Sequence, residues 1–278
     1  MPESPLYPLI FTDLDGTLLD HNSYSAKPAD VLIRRIIDQS MGTVIPITSK
    51  TRAELRSLQN SIAIGETISV TENGSVIYVP PDYPLGQTSD PQVVLLGTGY
   101  AEILDRIAGL PKTLRQHIRG FADMSAAEVS DATGLGTDES MLAKEREASE
   151  PFLWSGSDEA LEQLRSVMAD ANIRIQRGGR FCHFTGHATK EQAMALIKTS
   201  FIEQKTDYEV VSIALGDGPN DLGMIEAADF GTIMPNPAGI TIRSSKLHVR
   251  TAPAPGPEGW VMAISEIFAE LGIILSES

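Results

Sequence analysis

The sequence contains a single cysteine, Cys182, among its 278 residues. A disulfide bond within the chain is therefore impossible, which is typical of proteins from reducing compartments. No window approaches the ~20 consecutive apolar residues that a membrane-spanning helix needs, and residues 1–5 lack the basic segment of a secretion signal. The sequence thus predicts a cytoplasmic protein that has no membrane partner.

Basic residues are also scarce. The chain has 22 Lys and Arg against 37 Asp and Glu, which gives a formal net charge of −15. So acidic a chain repels the phosphate backbone of nucleic acids, and we expect no nucleic-acid partner. A phosphorylated substrate would need local positive charge at its site, from a metal ion or from a few placed Lys and Arg side chains. The pattern fits a monomer or a homodimer equally well.

Both ends of the chain alternate between strand-like and helix-like segments. Short apolar runs typical of buried parallel strands occur at residues 9–12, 44–47, 68–70, 210–215 and 230–234. Apolar residues at helical spacing occur at residues 28–37, 188–202, 221–228 and 258–271, and the inward faces of the first two helices are expected to include Ile37 and Leu196. This alternation predicts right-handed crossovers and a parallel sheet, that is, an α/β fold.

The middle of the chain has a different texture. It opens with a passage rich in Pro and Gly, after which strand-like pieces (93–96, 152–154, 173–175, 181–184) alternate with helix-like ones (101–108, 157–171). We therefore predict an α/β core from residues 1–83 and 188–278, and an inserted α+β domain from residues 84–187.

Polar residues follow the predicted elements at four places. The first strand runs into Asp13-Leu14-Asp15-Gly16-Thr17, the second into Thr48-Ser49-Lys50, and the late strand into residues 216–221, while Lys190 begins a helix. In a doubly wound sheet, the carboxyl ends of the strands meet at one edge. These side chains are therefore expected to form a single site.

The residue types at this edge suit phosphoryl transfer. An aspartate can attack phosphorus and form an aspartyl-phosphate, and a second one two residues later can act as acid and then as base. Carboxylates from separate strands can bind Mg²⁺, which prefers oxygen ligands. A lysine and a hydroxyl can hold the phosphoryl oxygens, and Gly16 allows the turn that brings both carboxylates to one cavity.

These motifs resemble those of phosphatases of the haloacid dehalogenase (HAD) superfamily. The matching features are DLDGT after an apolar strand, a strand-end Thr48, a helix-start Lys190 and the sequence GDGPND. The short interval between Asp15 and Thr48 has room for one helical crossover, whereas the long interval between Asn73 and Lys190 has room for an inserted domain. The resemblance implies a Rossmann-like HAD core with a C2-type cap, as in the Cof-like sugar phosphatases.

A narrower resemblance covers nearly the whole chain. VIPITSKT (44–51), TENG (71–74), REASEPFLW (146–154), GGRFCHF (178–184) and GPEGW (256–260) are similar to segments of mannosyl-3-phosphoglycerate phosphatases. The resemblance implies magnesium-dependent hydrolysis of mannosyl-3-phosphoglycerate to mannosylglycerate, a step in the biosynthesis of a compatible solute. Glucosyl-3-phosphoglycerate or another small phosphorylated sugar is the alternative substrate.

The resemblance also implies a role for each site residue. Asp13 would be the nucleophile and Asp15 the general acid and base, while Thr48 and Lys190 would hold the phosphate. Mg²⁺ would be bound by Asp13, the backbone carbonyl of Asp15, and Asp217, with Asp221 close by or acting through water. The expected substrate contacts are Ser49, Lys50, Glu72, Asn73 and Asn220 in the core, and Arg146, Ser149, Glu150, Arg180 and His183 in the cap. Arg180 is the first choice for the glycerate carboxylate, because arginine binds carboxylates bidentately.

Several alternatives stay open from the residues alone. A phosphomutase would use the same aspartyl-phosphate but pass the phosphate to a second sugar hydroxyl, and a non-catalytic scaffold could retain part of the site. Asn73-Gly74 is also a strong hairpin-turn signal, so we expect a turn whose polar residues face the site. Cys182-His183 lacks a second Cys/His pair, and zinc is not expected.

Overall fold

The computed structural model describes residues 4–59, 61–81, 83–85, 90–177, 180–239 and 241–274. Its strands are β1 (Leu6–Thr12), β2 (Thr43–Pro46), β3 (Ser69–Thr71), β4 (Val76–Val79), β5 (Gln92–Leu95), β6 (Ile118–Gly120), β7 (Ser149–Trp154), β8 (Arg174–Arg177), β9 (Cys182–Thr185), β10 (Glu209–Gly216), β11 (Phe230–Ile233) and β12 (Val249–Thr251). Its helices are α1 (Ala29–Asp38), α2 (Arg52–Leu58), α3 (Tyr100–Ala108), α4 (Lys112–Arg115), α5 (Ala126–Thr133), α6 (Thr137–Lys144), α7 (Asp158–Ala169), α8 (Lys190–Gln204), α9 (Leu222–Ala227) and α10 (Gly256–Glu270).

The core of the molecule is a parallel sheet of five strands in the order β12-β11-β10-β1-β2. Successive side chains of β1 point to opposite faces, and both faces are covered by helices. Ile10 packs with residues of α1 and α10, whereas Leu9 and Phe11 pack with residues of α8 and α9. This double burial explains why β1 is a continuous apolar run, and the predicted α/β fold is confirmed.

Two apolar residues of these helices do not lie where the helical spacing predicts. Ile37 of α1 and Leu196 of α8 were expected to face inward, but they are 40% and 36% exposed. Ile37 directly follows the buried Ile36, and Leu196 directly precedes the buried Ile197. Adjacent helical residues differ by about 100° around the axis, so both neighbours cannot point at the sheet equally.

A second sheet joins β3, β4 and β5 in antiparallel order. A turn of 3₁₀-helix at Glu72–Gly74 connects β3 to β4, which confirms the predicted hairpin. β5 lies beyond the predicted boundary at residues 83 and 84, yet it pairs with β4 of the core. This sheet therefore spans the expected junction, and the domain limits themselves stay a prediction.

The inserted segment forms an antiparallel sheet in the order β6-β7-β9-β8. α3 and α7 cover one face, where Phe152 of β7 stacks on Phe184 of β9 with ring centroids 4.2 Å apart. α5 and α6 cover part of the other face around Leu153 and Phe181. We call this segment the cap. None of the helices in the described part of the chain has the length and apolar character needed to cross a bilayer.

Candidate active site

The carboxylate of Asp13 lies at the centre of the site. Asp13 directly follows β1, and its backbone N–H donates to the carbonyl of Leu215 at 3.0 Å, which continues the pairing with β10. The Nζ of Lys190 donates to Asp13 Oδ1 at 2.7 Å and to Asp221 Oδ1 at 2.6 Å. The side chain of Thr189 caps α8, so that its first residue, Lys190, is fixed beside β1. Motifs far apart in sequence are therefore in direct contact.

Three carboxylates form a possible metal site. Oxygens of Asp13, Asp217 and Asp221 lie within 4.8 Å of one another, and all three residues are buried. Asp217 Oδ2 accepts a hydrogen bond from the side chain of Asn236 at 2.7 Å, and Asp221 Oδ2 accepts from the backbone N–H of Gly218 at 2.9 Å. Three carboxylates whose oxygens lie this close together are suitable ligands for a hard divalent cation.

The charges of this group also fit a cation. The pKa of Asp13 is raised to about 8, mainly by burial; Lys190 opposes this increase, and the neighbouring Asp221 carboxylate adds to it. Burial likewise raises the pKa of Asp217 to about 6, with Asp221 adding to the effect. Burial alone would lower the pKa of Lys190, but Asp13 and Asp221 outweigh it and raise the pKa above its usual value. One lysine thus faces three carboxylates, and a bound cation would offset the excess negative charge.

Asp15 lies at the edge of the site and forms an ion pair with Lys50. Asp15 Oδ2 is 2.9 Å from Lys50 Nζ, and the Asp15 side chain is partly exposed. Burial alone would lower the pKa of Lys50, but the carboxylates of Asp15 and Glu54 raise it overall. The turn that separates Asp13 from Asp15 continues through Gly16, which has a φ of +77°.

Gly16 is also packed directly against the predicted metal ligand Asp217. A β-carbon at Gly16 would lie 2.4 Å from Asp217 Oδ2. Gly16→Ala is therefore expected to displace Asp217 and to weaken the binding of a divalent cation by about 10- to 100-fold, measured by titration calorimetry.

Gly65→Ala is the matched control for this prediction. Gly65 also has a positive φ, +66°, but no atom lies within 4 Å of the position of its added β-carbon. Both variants share a strain of roughly 1–3 kcal/mol, and only Gly16→Ala should lose cation affinity. Equal affinities in the two variants would contradict the steric argument.

Thr48, which follows β2, is fully buried. β2 is the neighbour of β1 in the sheet. Thr48 Oγ1 accepts from the backbone N–H of Lys50 at 3.1 Å, and the Thr48 carbonyl accepts from the N–H of Asn73 at 2.9 Å. The side chain of Asn73 in turn accepts from Asn220 at 3.0 Å. Ser49 is exposed at the same edge. The structure thus brings the predicted core residues together, with the exception of Glu72.

Glu72 has a different position from the one expected. It was predicted to contact substrate, but its carboxylate is fully buried. It accepts from the backbone N–H groups of Glu147 at 2.7 Å and Ala148 at 3.1 Å, and from Ser149 Oγ at 2.5 Å. Glu72 therefore joins the core to the cap, and Ser149 is occupied by the same contact.

Glu150 and Arg180 of the cap were also predicted to contact substrate, but both make contacts within the cap instead. Glu150 is buried inside the cap, where it accepts from the Tyr100 hydroxyl and the Ala122 N–H, both at 2.8 Å. Burial raises the pKa of Glu150 above its usual value. The Arg180 guanidinium is exposed and donates to the carbonyl of Ala132. The alternation of β7 turns Glu150 toward the cap interior, and Arg180 lies outside the strands that face the core.

Arg146 and His183 belong to the cap face that approaches the core. Arg146 donates to the Ser49 carbonyl at 3.2 Å across the two parts of the molecule. Burial lowers the pKa of His183 to about 4, and the nearby Arg146 charge adds to this effect. His183 is thus a neutral, partly buried side chain at neutral pH.

The neutral state of His183 predicts a pH dependence of stability. Its pKa is lower in the folded protein than in the unfolded chain, so the unfolded chain takes up a proton first as the pH falls from about 6.5 to 4. The free energy of unfolding should decrease over this window, by roughly 2 kcal/mol after allowance for partial exposure. Denaturant titrations of the wild type and of His183→Gln should show a smaller decrease in the variant. The exposed His187→Gln is the control and should retain the wild-type slope.

Sequence reasoning missed two cap residues that lie close to Lys190. A cavity of about 210 Å³ is lined by Lys190, Asn73 and Asn220 from the core, and by Arg174 and Gln176 from β8. The signal was present in the sequence, because β8 alternates Arg174, Ile175 and Gln176 and buries only Ile175. That alternation places both polar side chains on one face of the cap sheet.

Comparisons with known proteins agree with this geometry, although no family model matches the sequence. A glucosyl-3-phosphoglycerate/mannosyl-3-phosphoglycerate phosphatase from Methanococcoides burtonii is 34% identical over 273 residues, which cover 94% of this chain and 97% of that protein. A protein of the same name from Persephonella marina is 32% identical over 272 residues, covering 95% and 98%. A solved haloacid dehalogenase-like hydrolase from Bacteroides thetaiotaomicron has a TM-score of 0.66 at 20% identity, covers 94% of this chain and 100% of its own, and shares the fold.

Proposed function

Because the chain belongs to the family of glucosyl-3-phosphoglycerate/mannosyl-3-phosphoglycerate phosphatases, which are phosphoric monoester hydrolases, we propose that it hydrolyses mannosyl-3-phosphoglycerate to mannosylglycerate and phosphate. The observation that carries the proposal is the buried contact of Asp13 with Lys190, beside the carboxylates of Asp217 and Asp221. This contact supports the proposal because it joins a carboxylate that could act as nucleophile, a lysine that could bind phosphate and carboxylates that could hold a metal ion.

The first step is the attack of an Asp13 carboxylate oxygen on phosphorus. The bond from phosphorus to the glycerate oxygen breaks, and Asp15 gives its proton to that oxygen, which leaves as the hydroxyl of mannosylglycerate. In the second step Asp15 removes a proton from water, whose oxygen attacks the aspartyl-phosphate. The bond from phosphorus to Asp13 then breaks, and inorganic phosphate is released.

Binding of the phosphoryl group is the task of the surrounding residues. Lys190 and Thr48 would hold its oxygens, and Lys50 would keep Asp15 oriented through the ion pair at 2.9 Å. Asp13, Asp217, Asp221 and the backbone carbonyl of Asp15 would hold Mg²⁺. When bound, Mg²⁺ supplies positive charge that stabilises the charge developing on the phosphoryl oxygens. The cap would exclude water during transfer.

A second substrate, glucosyl-3-phosphoglycerate, is favoured by the same comparisons, since the relatives are named for both sugars. The two substrates differ in the orientation of one hydroxyl. Arg146 and His183 on the cap face are the polar side chains that we propose for contact with the sugar. The cytoplasmic location of the enzyme stays a prediction from the sequence.

Phosphate release by the purified protein with Mg²⁺, with and without chelator, tests this function. The substrates are mannosyl-3-phosphoglycerate, glucosyl-3-phosphoglycerate, 3-phosphoglycerate and several hexose phosphates. We expect chelator-sensitive hydrolysis that favours the two glycosyl compounds. Activity on hexose phosphates alone would preserve the mechanism and reject the substrate. Isomerised product from a bisphosphorylated sugar would favour a phosphomutase, and no turnover of any substrate would favour a scaffold.

A further inference from the structure

β8 of the cap places a cation in the wall of a cavity at the start of α8. Arg174 and Gln176 line the cavity that Lys190 and Asn220 also line. Ile175, between them, is buried in the cap interior, so the two polar side chains share the opposite face of the strand. Glu191, the next residue of α8, also lines this cavity. The cavity therefore lies between an arginine of the cap and the first turn of α8, which begins with the predicted phosphate-binding residue Lys190.

The Arg174 side chain is held in place by neutral acceptors only. Its Nη2 donates to the Ala188 carbonyl at 2.6 Å, and its Nε donates to Thr185 Oγ1 at 3.3 Å. Ala188 and Thr185 are themselves buried. These contacts use two of the five N–H donors of the guanidinium and fix the direction in which the others point.

Arg174 also has no counter-ion among the residues that the structure describes. Within the described ranges, no carboxylate lies within 4.0 Å of its guanidinium, although the chain contains 37 acidic residues. By contrast, Arg177 on the same strand pairs with Asp158 at 3.3 Å. Two hydrogen bonds to neutral acceptors offset only part of the cost of burying half of a charged guanidinium, and burial accordingly lowers its pKa.

A substrate that carries both a phosphate and a carboxylate would supply the missing anion. The phosphoryl group belongs beside Lys190, whose ammonium is already in contact with Asp13 and Asp221. Arg174 is the other cation that lines the cavity. In a phosphoglycerate the carboxylate is only a few bonds from the phosphate, which suits two basic residues that line one cavity of about 210 Å³.

We propose that Arg174, with Gln176 beside it, binds the carboxylate of the glycerate moiety and so selects phosphoglycerate substrates. This proposal rests on the proposed function and assigns to Arg174 the role that sequence reasoning gave to Arg180. Arg174 is a specificity-determining residue, because it recognises a substrate group remote from the scissile bond.

The test compares mannosyl-3-phosphoglycerate with its methyl ester, and 3-phosphoglycerate with glycerol phosphate, by kcat/KM for phosphate release. Each pair differs in the negative charge of the carboxylate. The wild type should prefer the free acid by about 10- to 100-fold, since hydrogen bonds to charged groups are worth that much in binding. Arg174→Gln should lose the preference, mainly through KM, and Arg174→Lys should recover part of it. Ratios within one variant cancel any change in the amount of folded enzyme.

Arg177→Gln is the matched control, because it removes an arginine from the same strand but from the other face. It should retain the wild-type preference. If wild type and Arg174→Gln prefer the free acids equally, the subsite assignment is wrong while the phosphatase function stands. If the wild type hydrolyses neither glycosyl compound, the proposed substrate fails. The pair of 3-phosphoglycerate and glycerol phosphate then still decides whether Arg174 reads a carboxylate.

Discussion

Asp13→Asn is expected to abolish phosphate release, with a loss in kcat of at least about 10⁴-fold, because the amide oxygen is a poor nucleophile toward phosphorus. The variant should fold normally. Burial raises the pKa of Asp13 to about 8, so the fold accepts a neutral side chain of the same shape at this position. Lys190 retains its contact with Asp221. Steady-state phosphate release and thermal unfolding measure the two expectations.

Asp229→Asn provides a control of the same chemistry. Asp229 pairs with Lys198 at 2.6 Å, as Asp13 pairs with Lys190, and both lysines lie on α8. The control should retain activity, because Asp229 is outside the site. Incubation with substrate and acid quenching should trap phosphorylated wild-type protein and no phosphorylated Asp13→Asn. Clear turnover by pure Asp13→Asn protein would remove Asp13 from the nucleophile role.

Asp15→Asn is expected to lower kcat by about 10²- to 10⁴-fold, the usual contribution of a general acid and base. The size of the loss should depend on the leaving group in the first step. A glycerate oxygen needs a proton when it departs, whereas p-nitrophenolate leaves without one. Asp15→Asn should therefore reduce the rate of enzyme phosphorylation much less with p-nitrophenyl phosphate than with mannosyl-3-phosphoglycerate. Single-turnover kinetics can measure this rate for each substrate.

The second step supplies an independent check on Asp15. Without a base for water, the aspartyl-phosphate on Asp13 should persist, so that Asp15→Asn accumulates phosphorylated protein and Asp13→Asn does not. Lys50→Gln removes the ion pair at 2.9 Å and leaves the carboxylate, and it should reduce activity less than Asp15→Asn does. Equal losses for both leaving groups at the phosphorylation step would contradict the acid role.

The central sheet could be predicted from the sequence because its signals are local. β2, β10 and β11 were each expected within one residue of their positions, and β1 was expected to end at Thr12 but begins three residues earlier, at Leu6. An apolar run covered on both faces needs no information about its partners. The start of α8 was also predicted, since Lys190 was expected to begin a helix. The structure shows that the side chain of Thr189 caps the helix at this point. Those elements carry the residues of the phosphate site, so that this part of the site was predicted with them.

The cap was harder to predict because its contacts are made across long sequence intervals. α5 and α6 have few apolar residues, and they gain their core only by packing on Phe121 and Leu153. Glu72 was predicted at the substrate, but a buried carboxylate needs donors. It finds them in the backbone of Glu147 and Ala148, about 75 residues later. No local pattern indicates that pairing.

The sequence by itself determined the reaction chemistry, because Asp13, Asp15 and Lys190 lie at strand and helix ends whose positions follow from short-range apolar patterns. Only the tertiary structure decided which cap residues approach the site. The strand pairing of β8 with β9 places Arg174 in the wall of the cavity that Lys190 also lines, whereas Arg180 contacts Ala132 instead. The physical reason is that substrate recognition depends on which faces of distant elements meet, and side-chain alternation fixes a face only after the strands have found their partners.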